Sequence, residues 1–178
     1  EWHTRQAEMK IDKAPVSDHI KLRGILDRVD YNMQDKHQLG IIDYKTGKSH
    51  AGDMLGQRPE EPQLPLYLLT AEPDAAAVAF AQVRTGKMAY VGLARDGDLL
   101  PGIKAHADSK HNEQYPAWTD LVAAWGEDLE RIALQFADGI STVDPKRYPQ
   151  TCQYCDQQPF CRIRERFGES VIDGEGGE

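Results

Sequence analysis

The sequence is poor in cysteine, with three residues among 178, all between Cys152 and Cys161. An odd, tightly clustered set cannot close a disulfide framework, so a disulfide-stapled fold is excluded and an intracellular metal or cluster site is expected. Long hydrophobic runs are also lacking: none approaches the ~20 apolar residues that cross a bilayer, and no membrane-spanning helix is expected. No basic-then-apolar leader opens the chain, which starts Glu1-Trp2-His3; that start reads as a segment of a longer polypeptide. Positive charge is in deficit, with 21 Lys+Arg against 29 Asp+Glu and a net charge of −8. Such a balance speaks against bulk, sequence-blind attraction to a nucleic-acid backbone, although a local basic groove survives a negative total. There is no internal repeat.

What remains is a chain long enough to bury a core of its own. Residues 1–167 read as one domain with the Cys cluster 152–161 at its C-terminal end. Residues 168–178 carry Glu169, Asp173, Glu175 and Glu178 with no Lys or Arg, the composition of an acidic, disordered tail. The first half reads as β: strands near Gln6–Ile11, Ile20–Tyr31 and Gln38–Lys45, the last two separated by a turn over Asn32–His37. Gly47–Glu61 reads as a loop, and Pro62–Leu69 as the start of a helix, since Pro is tolerated in a first turn. Ala75–Leu93 predicts two paired strands about the Arg84-Thr85-Gly86-Lys87 turn, and Asp96–Tyr115 a polar connection. From Pro116 onward, Trp118, Leu121, Val122, Trp125, Leu129, Ile132, Ala133 and Phe136 recur at helical spacing, with Gly139 placed as a C-terminal cap. That stripe predicts a core face.

Two segments carry acids inside otherwise apolar strands: Leu22-Arg23-Gly24-Ile25-Leu26-Asp27-Arg28-Val29-Asp30 and Ile41-Ile42-Asp43-Tyr44-Lys45-Thr46-Gly47. Side chains alternate along a strand, so Asp43 and Lys45 share one face about 6–7 Å apart along the backbone while Tyr44 points away. With the Asp27 strand paired alongside, the two aspartates converge on a hard divalent cation, and the lysine stands ready to stabilise negative charge on phosphorus. The competing reading is a set of surface ion pairs, which are common and weak. Charge inside an apolar strand is costly without a partner, which weighs toward a site. Asp30 should face away from Asp27, and Glu8 reads as a solvated strand residue rather than a ligand.

The ordered set Gly24-x-x-Asp27-Arg28-Val29-Asp30, Ile42-Asp43-Tyr44-Lys45-Thr46-Gly47, Gln63-x-x-x-Tyr67 and Cys152-x2-Cys155-x5-Cys161-Arg162 resembles the PD-(D/E)xK nuclease domain of the RecB/AddB type, found at the C-terminal end of DNA-repair helicase–nucleases. The resemblance implies an α/β fold with a restriction-endonuclease-like core, a central mixed β-sheet flanked by α-helices, and a metal site on the sheet edge formed by the second and third strands. It implies Mg2+- or Mn2+-dependent exonuclease-type hydrolysis of DNA in repair or recombination, a helicase domain or subunit as partner, and a cytoplasmic location. Asp27 and Asp43 would bind metal with the Tyr44 carbonyl, Lys45 would be the catalytic lysine, and Gln63 and Tyr67 would hold DNA or that lysine. Cys152, Cys155 and Cys161 would supply three ligands of a [4Fe-4S] cluster whose fourth cysteine is not among these residues. Candidate DNA contacts are Arg28, Lys48, Arg58 and Arg84. Rival readings are a catalytically inactive DNA-binding or scaffolding module, another PD-(D/E)xK enzyme such as a junction resolvase, and a zinc-stapled interaction domain.

Overall fold

The computed structural model describes residues 2–18, 20–32 and 38–167. Most of the turn predicted over Asn32–His37, and the whole tail 168–178, lie outside the described residues. Contact density divides the chain into two compact units, Glu1–Asp138 and Gly139–Glu178.

The first unit is built on a five-stranded mixed sheet with strands in sequential order. β1 (Trp2–Pro15), β2 (Lys21–Asn32) and β3 (Leu39–Lys45) form an antiparallel meander, β4 (Ala75–Arg84) lies parallel to β3, and β5 (Lys87–Ala94) returns antiparallel as a hairpin. The parallel step needs a crossover, and α1 (Gln63–Thr70) supplies it between β3 and β4. α2 (Trp118–Ala137) follows the sheet.

β3 occupies the middle of the sheet, and its apolar residues are buried on both faces. On one face Leu26, Val29, Ile41, Val78 and Phe80 pack with Leu64, Tyr67 and Leu68 of α1 and Leu121 and Trp125 of α2. On the other, Ile42, Ala77, Ala79 and Ala81 pack with Leu99, Leu100 and Ile103. Alternation of Ala with Val78 and Phe80 along β4 thus gives one bulky and one shallow face. The shallow face admits the segment after β5. That segment, expected as a merely polar connection, buries Leu99, Leu100, Ile103, His106 and Tyr115 and makes a 3-10 turn at His106–Asp108. Gly92 on β5 lies so close to β4 that a Cβ there would come within 2.1 Å of the Val78 carbonyl, which fixes glycine at that crossing.

α2 buries Trp118, Leu121, Trp125, Leu129 and Ala133, the core stripe expected from its spacing, but Phe136 at the end of that stripe is exposed. Gly139 follows at φ +71°, the left-handed geometry of a C-terminal stop. The loop expected over Gly47–Glu61 is tied down. It forms a 3-10 turn at Ala51–Met54, buries Met54 and Leu55, and receives the Trp125 indole N–H on the Met54 carbonyl at 2.8 Å.

In the second unit, α3 (Gln158–Cys161) and α4 (Ile163–Phe167) are short, and Tyr148 stacks on Phe167 with ring centroids 5.2 Å apart. No helix among the described residues is long and apolar enough to cross a membrane.

Candidate active site

The β2–β3 ladder pairs Arg28 with Ile42, Val29 with Ile41 and Asp30 with Gly40. One step beyond its end stand Asp27 and Asp43. Directly opposed residues of an antiparallel pair share a face, so both carboxylates lie on the face that carries α1. The site therefore sits where two inner strands part, rather than on an edge of the sheet as expected. The Tyr44 N–H donates to Asp27 Oδ2 at 2.9 Å across this opening, which orients the first acid. Burial along β2 changes phase here: Leu22, Gly24 and Leu26 turn inward, and then Asp27 and Val29 do.

Asp43 is 3% exposed, and Phe80, its register partner on β4, is fully buried beside it. Burial is the largest influence on its carboxyl group, and it pushes the pKa up. Lys45 draws the pKa down, Asp27 and Glu61 raise it further, and the net position is above the ordinary carboxylate value. The Lys45 ammonium lies 3.2 Å from Asp43 Oδ2 and forms an ion pair with it. Apart from that ion pair, Oδ2 is buried and has no hydrogen-bond partner.

Lys45 is held from several sides. Besides Asp43, its Nζ is 3.5 Å from Glu61 Oε2, donates to Gln63 Oε1 at 3.2 Å and stands 5.6 Å from the centre of the Phe80 ring. Partial burial works against the charged form of this lysine, but Asp43 and Glu61 outweigh it and lift its pKa above the ordinary value. Gln63 is the first residue of α1 and Tyr67 lies one turn on, so the two face the same way. Gln63 Nε2 donates to Tyr67 Oη at 3.1 Å, and Tyr67 Oη donates to the Ile25 carbonyl at 2.8 Å. A chain of hydrogen bonds thus runs from Lys45 through Gln63 and Tyr67 to the backbone of β2. Gly24 makes room for it, since a Cβ there would come 3.1 Å from Tyr67 Oη.

The structure brings Asp27, Asp43, Lys45, Gln63 and Tyr67 together, from β2, β3 and α1. It adds Glu61, passed over when Gly47–Glu61 was read as loop; its signal was an acid just ahead of the Pro62 helix start. Gln82, beside Lys45 in register, donates to the Ser49 carbonyl at 2.8 Å and secures the chain leaving the site.

Other candidates fall elsewhere. Arg28 is turned to the opposite face and committed to Asp30 through two 2.6 Å hydrogen bonds, with a third to Tyr44 Oη at 3.1 Å, so it does not present a free cation to DNA. Asp30 is buried and faces away from Asp27, as strand alternation predicted. Lys48, Arg58 and Arg84 are exposed. Glu8 falls between the Ala7–Arg28 and Met9–Leu26 pairs, but it is exposed and adopts φ +51°. Cys152, Cys155 and Cys161 are free thiols, with Cys161 Sγ directed to the Gln158 carbonyl at 3.6 Å.

Among the described residues, no three His, Cys, Asp or Glu side chains are gathered closely enough to hold a metal ion. Cys152, Cys155 and Cys161 are not gathered that closely. The aspartate pair does fit a hard divalent cation. Mg2+ typically takes one or two protein carboxylates and completes its shell with water and substrate phosphate, and Asp43 Oδ2 is a buried carboxylate oxygen with no hydrogen-bond partner.

The model of the PD-(D/E)XK nuclease superfamily matches residues 1–162. The chain belongs to that superfamily, whose members are generally phosphodiester-hydrolysing nucleases that use Mg2+ or Mn2+. Its mixed sheet flanked by helices is the restriction-endonuclease-like fold. No significant match was found among curated proteins or among solved structures.

Proposed function

We propose that the chain is a metal-dependent deoxyribonuclease of exonuclease type, the nuclease domain of a larger DNA-repair or recombination protein of the RecB/AddB kind. The observation that carries this reading is Asp43 Oδ2, buried without a hydrogen-bond partner, opposed by Asp27 and ion-paired with Lys45. Asp27, Asp43 and the Tyr44 carbonyl would hold a Mg2+ or Mn2+ ion. Such an ion supplies a Lewis acid for the phosphoryl oxygens and lowers the pKa of water.

The chain's own residues supply the rest. Lys45 offers a fixed positive charge beside the phosphorus, where negative charge builds as the water oxygen bonds and the ester oxygen leaves. Gln63, anchored by Tyr67, fixes the direction of that ammonium. Phe80, fully buried beside Asp43, puts an apolar ring 5.6 Å from the Lys45 ammonium. The Tyr44 N–H keeps Asp27 turned toward the opening.

A cytoplasmic location, a helicase partner and a [4Fe-4S] staple on Cys152, Cys155 and Cys161 belong to the RecB/AddB reading and are supported by motif order alone. Iron and sulfide analysis of anaerobically purified full-length protein, beside the triple Cys→Ser variant, tests the staple.

The activity is tested by degradation of labelled linear single- and double-stranded DNA in Mg2+ or Mn2+, with Asp43→Ala and Lys45→Ala alongside. Metal-dependent cleavage by the wild type that both substitutions abolish is expected. Cleavage that survives both would overturn this assignment, and a wild type that binds DNA without cutting it would favour the inactive scaffolding module.

A further inference from the structure

Glu61 lies outside the motifs that marked the site, yet its carboxylate stands 3.5 Å from the Lys45 ammonium. The segment that bears it is fixed at several points. Gln82 holds the Ser49 carbonyl, and the His50 N–H donates to Asp53 Oδ2 at 2.8 Å. The Asp53 carbonyl accepts from the Glu60 and Glu61 N–H groups at 2.8 and 2.9 Å, and Trp125 grips the Met54 carbonyl. Pro62 and α1 follow at once. Glu61 is thus delivered to Lys45 by an anchored strap, and its side chain is 36% exposed at the mouth of the site.

Lys45 and a divalent cation both need Asp43. With Asp43 as its only carboxylate, the ammonium would compete with the cation for the same oxygen and, once displaced, would swing toward solvent. A second carboxylate on the outer side removes that conflict, because the ammonium keeps a counter-charge while Asp43 turns to the metal. Gln63 cannot serve alone, since a neutral amide offers a dipole and no charge. We propose that Glu61 is the positioning residue for Lys45: it takes over the lysine when Asp43 is engaged and keeps the ammonium beside the reacting phosphate. This inference rests on the nuclease reading and adds a residue to it.

The test is a double-mutant cycle between Glu61→Gln and Lys45→Met, read by Mn2+ binding without DNA and by steady-state cleavage. Glu61→Gln should weaken Mn2+ binding about three- to fivefold, the scale of one partly exposed charge pair. In the Lys45→Met background the same change should alter binding less than about twofold, because the competitor it restrains is gone. With Lys45 present, Glu61→Gln should lower kcat and leave KM for DNA unchanged, and Glu61→Asp should regain part of the loss. The melting temperature of the Glu61 variants should stay put, since the pair they break is partly exposed.

Equal loss of Mn2+ binding in both backgrounds would make Glu61 a direct ligand and overturn the proposal, as would a rise in KM at constant kcat. A wild type that binds Mn2+ and cleaves, with the Glu61 variants unchanged, overturns this inference alone. A wild type that does neither overturns the nuclease reading and this inference with it.

Discussion

Arg28 and Asp30, two residues apart on β2, form a two-point ion pair with both hydrogen bonds at 2.6 Å, on the sheet face opposite to Asp27 and Asp43. Asp30 is 1% exposed, and the Asp30 hydrogen bonds, outweighing partial burial, raise the Arg28 pKa well above the ordinary value. Tyr44 on β3 joins the pair through its hydroxyl. The cluster therefore couples β2 to β3 at the last rung before the two candidate metal ligands. Breaking a buried pair by removing one partner strands the other charge, at a cost of about 3–5 kcal/mol. The Arg28 side chain is 27% exposed and escapes in part to water, so Asp30→Ala should cost near the lower end, about 3 kcal/mol. Tyr44→Phe loses one exposed hydrogen bond and should cost about 1 kcal/mol or less. Urea unfolding monitored by circular dichroism, with unchanged slope, checks both.

Tyr67 should matter to activity more than its distance from the carboxylates suggests. Tyr67→Phe removes the donor to the Ile25 carbonyl and the acceptor for Gln63. Loss of buried hydrogen bonds predicts about 1–2 kcal/mol of destabilisation, and a Gln63 free to rotate predicts a lower kcat. Gly24→Ala forces Tyr67 aside, since the new Cβ would meet Oη at 3.1 Å and Cε1 at 3.3 Å. Combined with Tyr67→Phe, which deletes the nearer of those atoms, Gly24→Ala should cost less stability than it does alone. Independent, additive costs would show that Gly24 does not serve Tyr67.

Much of this arrangement was legible in the sequence because its signals are local. The spacing of Gln63 and Tyr67, the alternation of Asp43 with Tyr44, the Arg84–Lys87 turn and the apolar stripe from Trp118 each reside in a few neighbouring residues. What escaped depends on distant partners. β1 is an edge strand, mostly exposed, with register shifts at Thr4/Gln6 and Ile11/Ala14, so its alternation is broken and only Gln6–Ile11 stood out of its 14 residues. Leu99, Leu100 and Ile103 are buried because the alanine face of β4 leaves room for them, a fact written 20 residues earlier. Glu61 looked like any loop acid until the strap from Ser49 to Pro62 was seen to be pinned. The site's place between two inner strands followed from strand order, which motifs alone do not determine.

That strap should respond to a change far from the charges. Trp125 is 3% exposed and donates its indole N–H to the Met54 carbonyl at 2.8 Å. Trp125→Phe keeps much of the apolar contact and removes the donor, so it should destabilise by about 2–3 kcal/mol, combining an unsatisfied buried carbonyl with a smaller ring. Hydrogen exchange should then quicken at Glu60 and Glu61, whose amides rest on the same turn. Faster exchange spread evenly over the sheet instead would mean that Trp125 supports the core and not the strap.

Asp43 gives the sharpest test, because stability and cation binding should move in opposite directions. Its folded pKa is raised above its unfolded value, chiefly by burial. A raised pKa means that the neutral form suits the fold: stability is full below about pH 3.9, where the unfolded carboxyl is protonated, and is lost as pH rises through the folded pKa. Asp43→Asn mimics the neutral form at every pH. Without divalent cations, the variant and the wild type should therefore be similarly stable at low pH, and the variant should gain the advantage as pH rises, levelling off once the folded Asp43 is fully ionised. Adding Mg2+ should reverse the order. A cation that binds only the folded wild type at a hundred times its Kd stabilises it by about 2.7 kcal/mol, while the variant, lacking the charged ligand, gains nothing. Chelation should undo the gain. Thermal melting of both proteins from pH 4 to 8, with EDTA and with Mg2+, measures the whole pattern. A wild type that stays below Asp43→Asn in saturating Mg2+ would mean that the buried carboxylate does not hold the cation.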